Sequence, residues 1–134
     1  MKCAFVNTSA WFAYANRAYR DHRNVKSVFT HFGGRLVTSN FVMAETVTLC
    51  MRRLGHRVAV MLGDTLLYSR TIDLVRLTPE DEQAAWSLFK ERSDKQYSFT
   101  DCTSFVIMRR HGLATALALD EDFAHEGFEV LPEA

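Results

Sequence analysis

Short apolar runs rich in β-formers alternate along this chain with longer stretches in which apolar residues recur at helical spacing. Lys2 to Val6 reads as a strand ending at Asn7-Thr8-Ser9, and Thr8 or Ser9 can cap a helix from Ala10 to about Arg17. Val25, Val28, Phe29 and Phe32 predict a second helix from about Asp21 to Phe32, stopped by Gly33-Gly34. Leu36-Val37-Thr38 is a second strand, after which Ser39 or Asn40 caps the clearest helix of the chain. Its stripe is Met43, Val47, Cys50 and Leu54, at i, i+4, i+7 and i+11, and Gly55 ends it. Ala59, Leu62 and Leu66 mark another helix. Thr71 to Leu77 alternates as a third strand. Thr78-Pro79-Glu80-Asp81 then supplies a cap, a proline at the first helical position and two acids in the first turn. A polar loop, Ser93 to Thr100, precedes a helix that starts near Ser98–Asp101, buries Cys102, Phe105 and Val106, and stops at Gly112. Thr115 to Leu119 and Phe128 to Leu131 are the fourth and fifth strands.

Strands separated by helices need crossover connections, which predicts an α/β fold with a mainly parallel sheet covered on both faces. The 134 residues are enough for one compact domain, residues 1–134, that folds without a disulfide or a metal. No apolar run approaches the ~20 residues needed to span a bilayer. Met1 to Val6 is too short, and too soon interrupted by Asn7, to be a secretory signal, which predicts a cytoplasmic protein. Cys3, Cys50 and Cys102 form no paired spacing and read as small buried hydrophobes of a reducing compartment.

The net charge of zero hides an asymmetry. Residues 1–70 carry ten Lys and Arg against three acids, whereas residues 71–134 carry six against thirteen. Twelve of the sixteen cations are Arg, whose fork matches phosphate geometry, so the first half is a candidate polyanion-binding face unless the two halves neutralise each other in the fold. Trp11, Phe12, Tyr14 and Trp86 read as core or interface, and Arg52-Arg53 and Arg109-Arg110 as phosphate contacts or solvated charges.

In a parallel sheet, ligands bind beyond the carboxyl ends of the strands. Strand one ends there at Asn7, strand four at Asp120 with Asp122 two residues on. Glu45 follows strand two, on a helical face with Phe41 and Leu49 that suggests partial burial, and Asp101 opens the helix before strand four. Carboxylates converging from separate elements repel by roughly 3 kcal/mol per pair at ~5 Å, and a divalent cation removes that cost. All-oxygen ligation suits Mg²⁺ or Mn²⁺, which lower the pKa of a water and steady a phosphate under in-line attack. Each acid also has a structural reading, as a first-turn residue favoured by the helix dipole or as a cap. The five histidines show no HxH or HxxxH pair, and no Walker A, GxGxxG or G-x-S-x-G stretch is present.

Val6-Asn7-Thr8-Ser9-Ala10-Trp11, Thr38-Ser39-Asn40-Phe41-Val42-Met43-Ala44-Glu45-Thr46, Ser98-Phe99-Thr100-Asp101-Cys102-Thr103-Ser104-Phe105 and Leu119-Asp120-Glu121-Asp122-Phe123, in that order, resemble the PIN-domain ribonucleases, and among them the VapC-type toxins of prokaryotic toxin–antitoxin pairs. The resemblance implies a three-layer α/β/α sandwich with strand order 3-2-1-4-5. It maps an acidic, Mg²⁺- or Mn²⁺-binding cluster onto position 7, Glu45, Asp101 and Asp120, with Asp122 as an outer or alternative ligand and Ser9 and Ser98 in support. It implies an endoribonuclease toxin acting on structured RNA of the translation machinery, tRNA or the sarcin–ricin loop of 23S rRNA. A homodimer is also implied, and a VapB-type antitoxin covering the early helices near Trp11, Phe12, Tyr14 and Tyr19. At position 7 the family carries Asp and this chain carries Asn, which keeps the shape and loses the charge. Asn7 therefore reads as an inactivating change, natural or introduced. The competing reading is a non-catalytic module that binds RNA or an antitoxin. A phosphatase on a similar sheet would need an acid pair at the first strand end, which Asn7-Thr8-Ser9 lacks.

Overall fold

A strand buried on both sides belongs in the middle of a parallel sheet, and β1 (Cys3–Val6) is that strand: its Ala4, Phe5 and Val6 expose no surface. The computed structural model describes residues 2–133. In it β1 lies between β2 (Arg35–Ser39) and β4 (Thr115–Leu117), with β3 (Ile72–Val75) and β5 (Glu129–Leu131) at the edges. The order is β3-β2-β1-β4-β5 and every pairing is parallel, with Phe5 opposite both Val37 and Ala116. Helices α1 (Thr8–Ala15), α2 (His22–His31), α3 (Asn40–Leu54), α4 (His56–Tyr68), α5 (Pro79–Glu91), α6 (Phe99–Arg110) and α7 (Asp122–His125) supply the crossovers and cover the sheet as an α/β/α sandwich.

The pattern of apolar positions accounts for the packing. Phe5 stacks on Phe123, which with Phe105 and Phe128 forms an aromatic cluster. Trp11 is buried and donates its indole N–H to Thr38 Oγ1 at 3.3 Å, and Thr38 in turn donates to the Val6 carbonyl. The predicted stripe of α3 is partly turned to α4, with Met43 and Val47 meeting the bare Cα of Gly63. Close approach also explains Gly34, since a Cβ there would run into the backbone of Lys2.

The elements differ from expectation mainly where a strand's neighbour turns away. The third strand stops at Val75 rather than Leu77 because its partner β2 ends at Ser39, which caps α3. The Leu77 N–H is taken by Asn40 Oδ1 at 3.0 Å instead. Likewise β4 ends at Leu117 rather than Leu119, since β1 has already passed into α1. Helix α1 starts at Thr8, so its cap position is Asn7 and neither Thr8 nor Ser9 caps it. The short α7 has no counterpart among the predicted helices. Cys50 and Cys102 are buried free thiols, and Cys3 is half-buried.

One acid outside the predicted set ties several of these elements together. Glu126, at the end of α7, has a side chain that is 3% exposed and accepts hydrogen bonds from Arg92 Nε (2.9 Å), Arg109 (2.9 Å) and the Tyr97 hydroxyl (3.0 Å). It joins α7 to the end of α6 and to the segment between α5 and α6. Burial by itself would raise its pKa, but the two guanidinium groups and the phenol outweigh burial and hold it at about 2, below its ordinary 4.5. A carboxyl depressed on folding stabilises above its unfolded value and loses that contribution as pH falls through the folded one. Glu126→Gln should therefore lower the melting temperature at neutral pH by roughly 5 °C. Melting curves across a pH series should show that gap closing as pH falls from 4.5 towards about 2. A gap independent of pH would mean the charge of Glu126 contributes nothing.

Candidate active site

β1 and β4 are adjacent but lead away from the same sheet edge into different helices, which opens a crevice beyond their carboxyl ends. Asn7 sits at its base, 3% exposed. Its backbone is fixed from both sides: its N–H donates to the Leu117 carbonyl at 2.9 Å, and its carbonyl accepts from Ala10 and Trp11 of α1. Its side chain makes no capping bond and is left to face the crevice. There Nδ2 donates to Asp120 Oδ2 at 3.4 Å, while Oδ1 is buried with no hydrogen-bond partner.

Hydrogen bonds tie several of the predicted residues to this strand edge. Thr8 donates to Glu45 Oε1 at 2.7 Å, tying α1 to the carboxylate of α3. Ser9 Oγ accepts the Leu119 N–H at 3.0 Å and so anchors the segment leading to Asp120. Asp120 Oδ1 accepts the Asp122 N–H at 3.2 Å, a turn that starts α7. Ser98 and Asp101 form a reciprocal capping box at the head of α6, each side chain accepting the other's backbone N–H at 3.0 Å. The hydroxyls of Ser9 and Ser98 thus meet backbone N–H groups. Glu45 departs from expectation by being exposed: the packed face of α3 is Val42, Thr46 and Cys50, which turns Glu45 towards a cavity of about 710 Å³ that it lines with Thr8, Phe41, Arg52 and Thr100.

The electrostatics show how close the acids of the second half lie. Burial pushes Asp101 up to about 6, with the charges of Asp120 and Asp122 adding to it against the hydrogen bonds from Ser98. Asp120 is also raised, first by burial and then by Asp122, against hydrogen bonds from the Asp122 N–H and Asn7. Among the described residues no three His, Cys, Asp or Glu side chains form a metal cage by themselves. Asp120 touches Asn7, Glu45 is bonded to the adjacent Thr8, and Asp101 feels the charges of Asp120 and Asp122. An all-oxygen donor set around an unpartnered buried acceptor fits a hard divalent cation that keeps part of its water shell.

Elsewhere the structure sorts residues that the sequence left open. Arg109 and Arg110 are taken up by Glu126 and Asp81. The first-half arginines Arg17, Arg20, Arg23, Arg52, Arg53 and Arg57 are exposed, and among the described residues only the Arg35–Asp73 pair joins the basic half to the acidic half. The halves therefore do not neutralise each other. Trp11 and Phe12 are buried and cannot meet a partner, whereas Tyr14, Tyr19 and Trp86 are exposed. Sequence reasoning missed Thr8 as the link to Glu45 and Glu126 as a clamp. Thr8 stands in a recognisable segment, but Glu126 carries no local signal, its cationic partners being 17 and 34 residues away.

Residues 4–129 match the family model of the PIN domain. The chain belongs to the PIN-domain family. It is 39% identical over 130 residues, 96% of this chain and 98% of the relative, to the 23S rRNA-specific endonuclease VapC20 of Mycobacterium tuberculosis. The crystal structure of that VapC20, a sarcin–ricin loop cleaving toxin, superposes with a TM-score of 0.89 at 37% identity, covering 93% of this chain and 95% of that one. VapBC2 from Rickettsia felis, bound to a DNA fragment from its promoter, shares the fold alone, with a TM-score of 0.68 at 11% identity and 96% of each chain covered. Among the described residues of this PIN domain no helix is long and apolar enough to cross a membrane.

The geometry sets a test of position 7. An aspartate there would face Asp120 across the present 3.4 Å contact, and two unit charges ~4 Å apart repel by roughly 4 kcal/mol at an effective dielectric near 20. Asn7→Asp should melt below the parent in chelator and be raised by Mn²⁺ more than the parent is, as read by differential scanning fluorimetry. Equal Mn²⁺ shifts in both proteins would show that position 7 is no part of a cation site.

Proposed function

We propose that this PIN domain is a divalent-metal-dependent endoribonuclease toxin of the VapC type, acting on ribosomal RNA at the sarcin–ricin loop, and that Asn7 impairs it. The observation that carries the reading is the buried, unpartnered Oδ1 of Asn7 at the strand ends, beside Asp120, with Glu45 bonded to the neighbouring Thr8 and Asp101 within reach of the charge of Asp120. The name of the 39% identical relative supports rRNA over tRNA as the target.

Glu45, Asp101 and Asp120 would hold a Mg²⁺ or Mn²⁺ ion, with Asp122 beside them. Such an ion, when bound, supplies an activated water and offsets the charge that gathers on a phosphate under in-line attack. The chain's own part is to hold its acids in place. The Ser98 capping box fixes Asp101, Ser9 fixes the approach to Asp120, and Thr8 steadies Glu45. No side-chain nucleophile is needed. The amide at position 7 withholds one negative charge from the ion, which weakens both its binding and the activation of water.

The same reading makes the chain a single domain, cytoplasmic, homodimeric and paired with a VapB-type antitoxin. The exposed Tyr14 and Met61, on a groove between the early helices and α4, are placed to receive an apolar antitoxin segment. A second reading, a non-catalytic module that binds RNA or an antitoxin, is favoured by one contact: the Asn7 amide donates to Asp120 much as a bound cation would neutralise it.

Asn7→Asp separates the two. It should restore metal-dependent cleavage of ribosomal RNA and make the protein toxic when expressed alone. In that background Glu45→Gln, Asp101→Asn or Asp120→Asn should each lower the cleavage rate by roughly a hundredfold or more, about 2.7 kcal/mol of barrier. If the Asn7→Asp protein with Mg²⁺ or Mn²⁺ leaves both ribosomal and transfer RNA intact while still binding RNA, the non-catalytic reading stands.

A further inference from the structure

The cavity beside Glu45 has a charge pattern that the carboxylate site alone does not explain. Phe41, Glu45, Thr48 and Arg52 follow one another at helical spacing along α3 and form one wall of it, with Thr8 and Thr100 opposite. Arg52 is exposed, and among the described residues it has no ion-pair or hydrogen-bond partner, whereas Arg35, Arg92, Arg109 and Arg110 are each held by an acid. It lies seven residues beyond Glu45, roughly 10 Å along the helix axis. A nucleic-acid strand rises ~3.4 Å per nucleotide when stacked in a duplex and more when extended, so that gap is about two to three nucleotides.

The apolar end of the same wall is rigid. The Phe41 ring meets Phe99 edge-on at 6.1 Å, and Phe99 is backed by Trp86 at 6.1 Å and Phe89 at 6.4 Å. Phe99 is also the first residue of α6, two before Asp101, so the aromatic brace and the acids are held by the same helix start. A cationic fork at one end and a braced ring at the other suit a backbone phosphate and an unstacked base.

We propose that this cavity is a subsite for the RNA strand adjoining the bond to be cut, with Arg52 on a backbone phosphate and Phe41 against a base. The assignment rests on the nuclease reading above and adds where the strand runs: along α3, away from the sheet edge, past Thr48. Neither residue touches the reacting atoms, so both act on binding of the strand and not on the ion.

The test uses the chain as it stands and an RNA hairpin carrying the sarcin–ricin loop sequence, with affinity read by fluorescence anisotropy over a series of salt concentrations. Arg52→Gln should weaken binding about tenfold and reduce the salt slope by about one, the signature of one lost phosphate contact. Arg52→Lys should restore the slope. Phe41→Leu should weaken binding with the slope unchanged. Arg23→Gln, on α2 and outside the cavity, should have a smaller effect than Arg52→Gln, and the Mn²⁺-induced thermal shift of Asn7→Asp should survive the addition of Arg52→Gln. Unchanged affinity and slope in Arg52→Gln would overturn the subsite while leaving the nuclease reading intact, provided Asn7→Asp cleaves RNA. A hairpin that the parent does not bind at all, together with an Asn7→Asp protein that does not cut, would overturn both. An Arg52→Gln protein that changes its sedimentation behaviour and not its RNA binding would assign the wall to a contact between two copies of the chain.

Discussion

When the order of a parallel sheet reverses at its centre, two neighbouring strands reach the same edge and then part. Here those strands are β1 and β4, and the bond from the Asn7 N–H to the Leu117 carbonyl is the last rung they share. Beyond it the backbones separate, and polar groups left without a ladder must find other partners. The Leu119 N–H finds Ser9, the Asp122 N–H finds Asp120, and the Asn7 side chain finds Asp120. The carboxylate site is thus the polar remainder of a sheet that has run out of strand. Because an unsatisfied buried polar group is costly, Asn7 Oδ1, a buried acceptor of this crevice without a partner, is the informative atom of the region.

Much of the architecture is legible because the chain obeys local rules. Gly33, Gly55 and Gly112 end helices at positive φ, and Thr78-Pro79-Glu80-Asp81 starts one with a full capping box. The stripe of α3 marks a helix correctly but not which face is most deeply buried, since two other elements compete for it: α4 takes the Met43 and Val47 side, while Val42 and Thr46 turn to the core. That competition is why Glu45 proves exposed. The predicted strand ends at Leu77 and Leu119 overshoot by two residues for one reason: a strand's length is decided by its neighbour, which period-two alternation within a single segment does not encode.

The candidate site is legible residue by residue but not in its wiring. Asn7, Glu45, Asp101 and Asp120 stand in recognisable segments, yet the hydroxyl that joins Glu45 to the strand edge reads, from sequence alone, as a helix cap. Glu126, which holds α7 against α6, has no signature because its partners come from distant parts of the chain. Charge segregation is visible in the sequence, whereas its survival in three dimensions depends on pairing that only the fold reveals. The acidic half satisfies its own structural cations, Arg92, Arg109 and Arg110, and so leaves the arginines of the basic half exposed at the surface.

The way position 7 is held has an evolutionary corollary. Its amide hydrogen and carbonyl oxygen are both committed to the scaffold, one to a strand and one to a helix, while the side-chain terminus is excused from any capping duty. Asparagine and aspartate occupy nearly the same volume and their codons differ by one nucleotide. A single transition therefore exchanges an amide for a carboxylate at this strand edge while leaving both backbone bonds in place, and what changes is the charge that Asp120 meets.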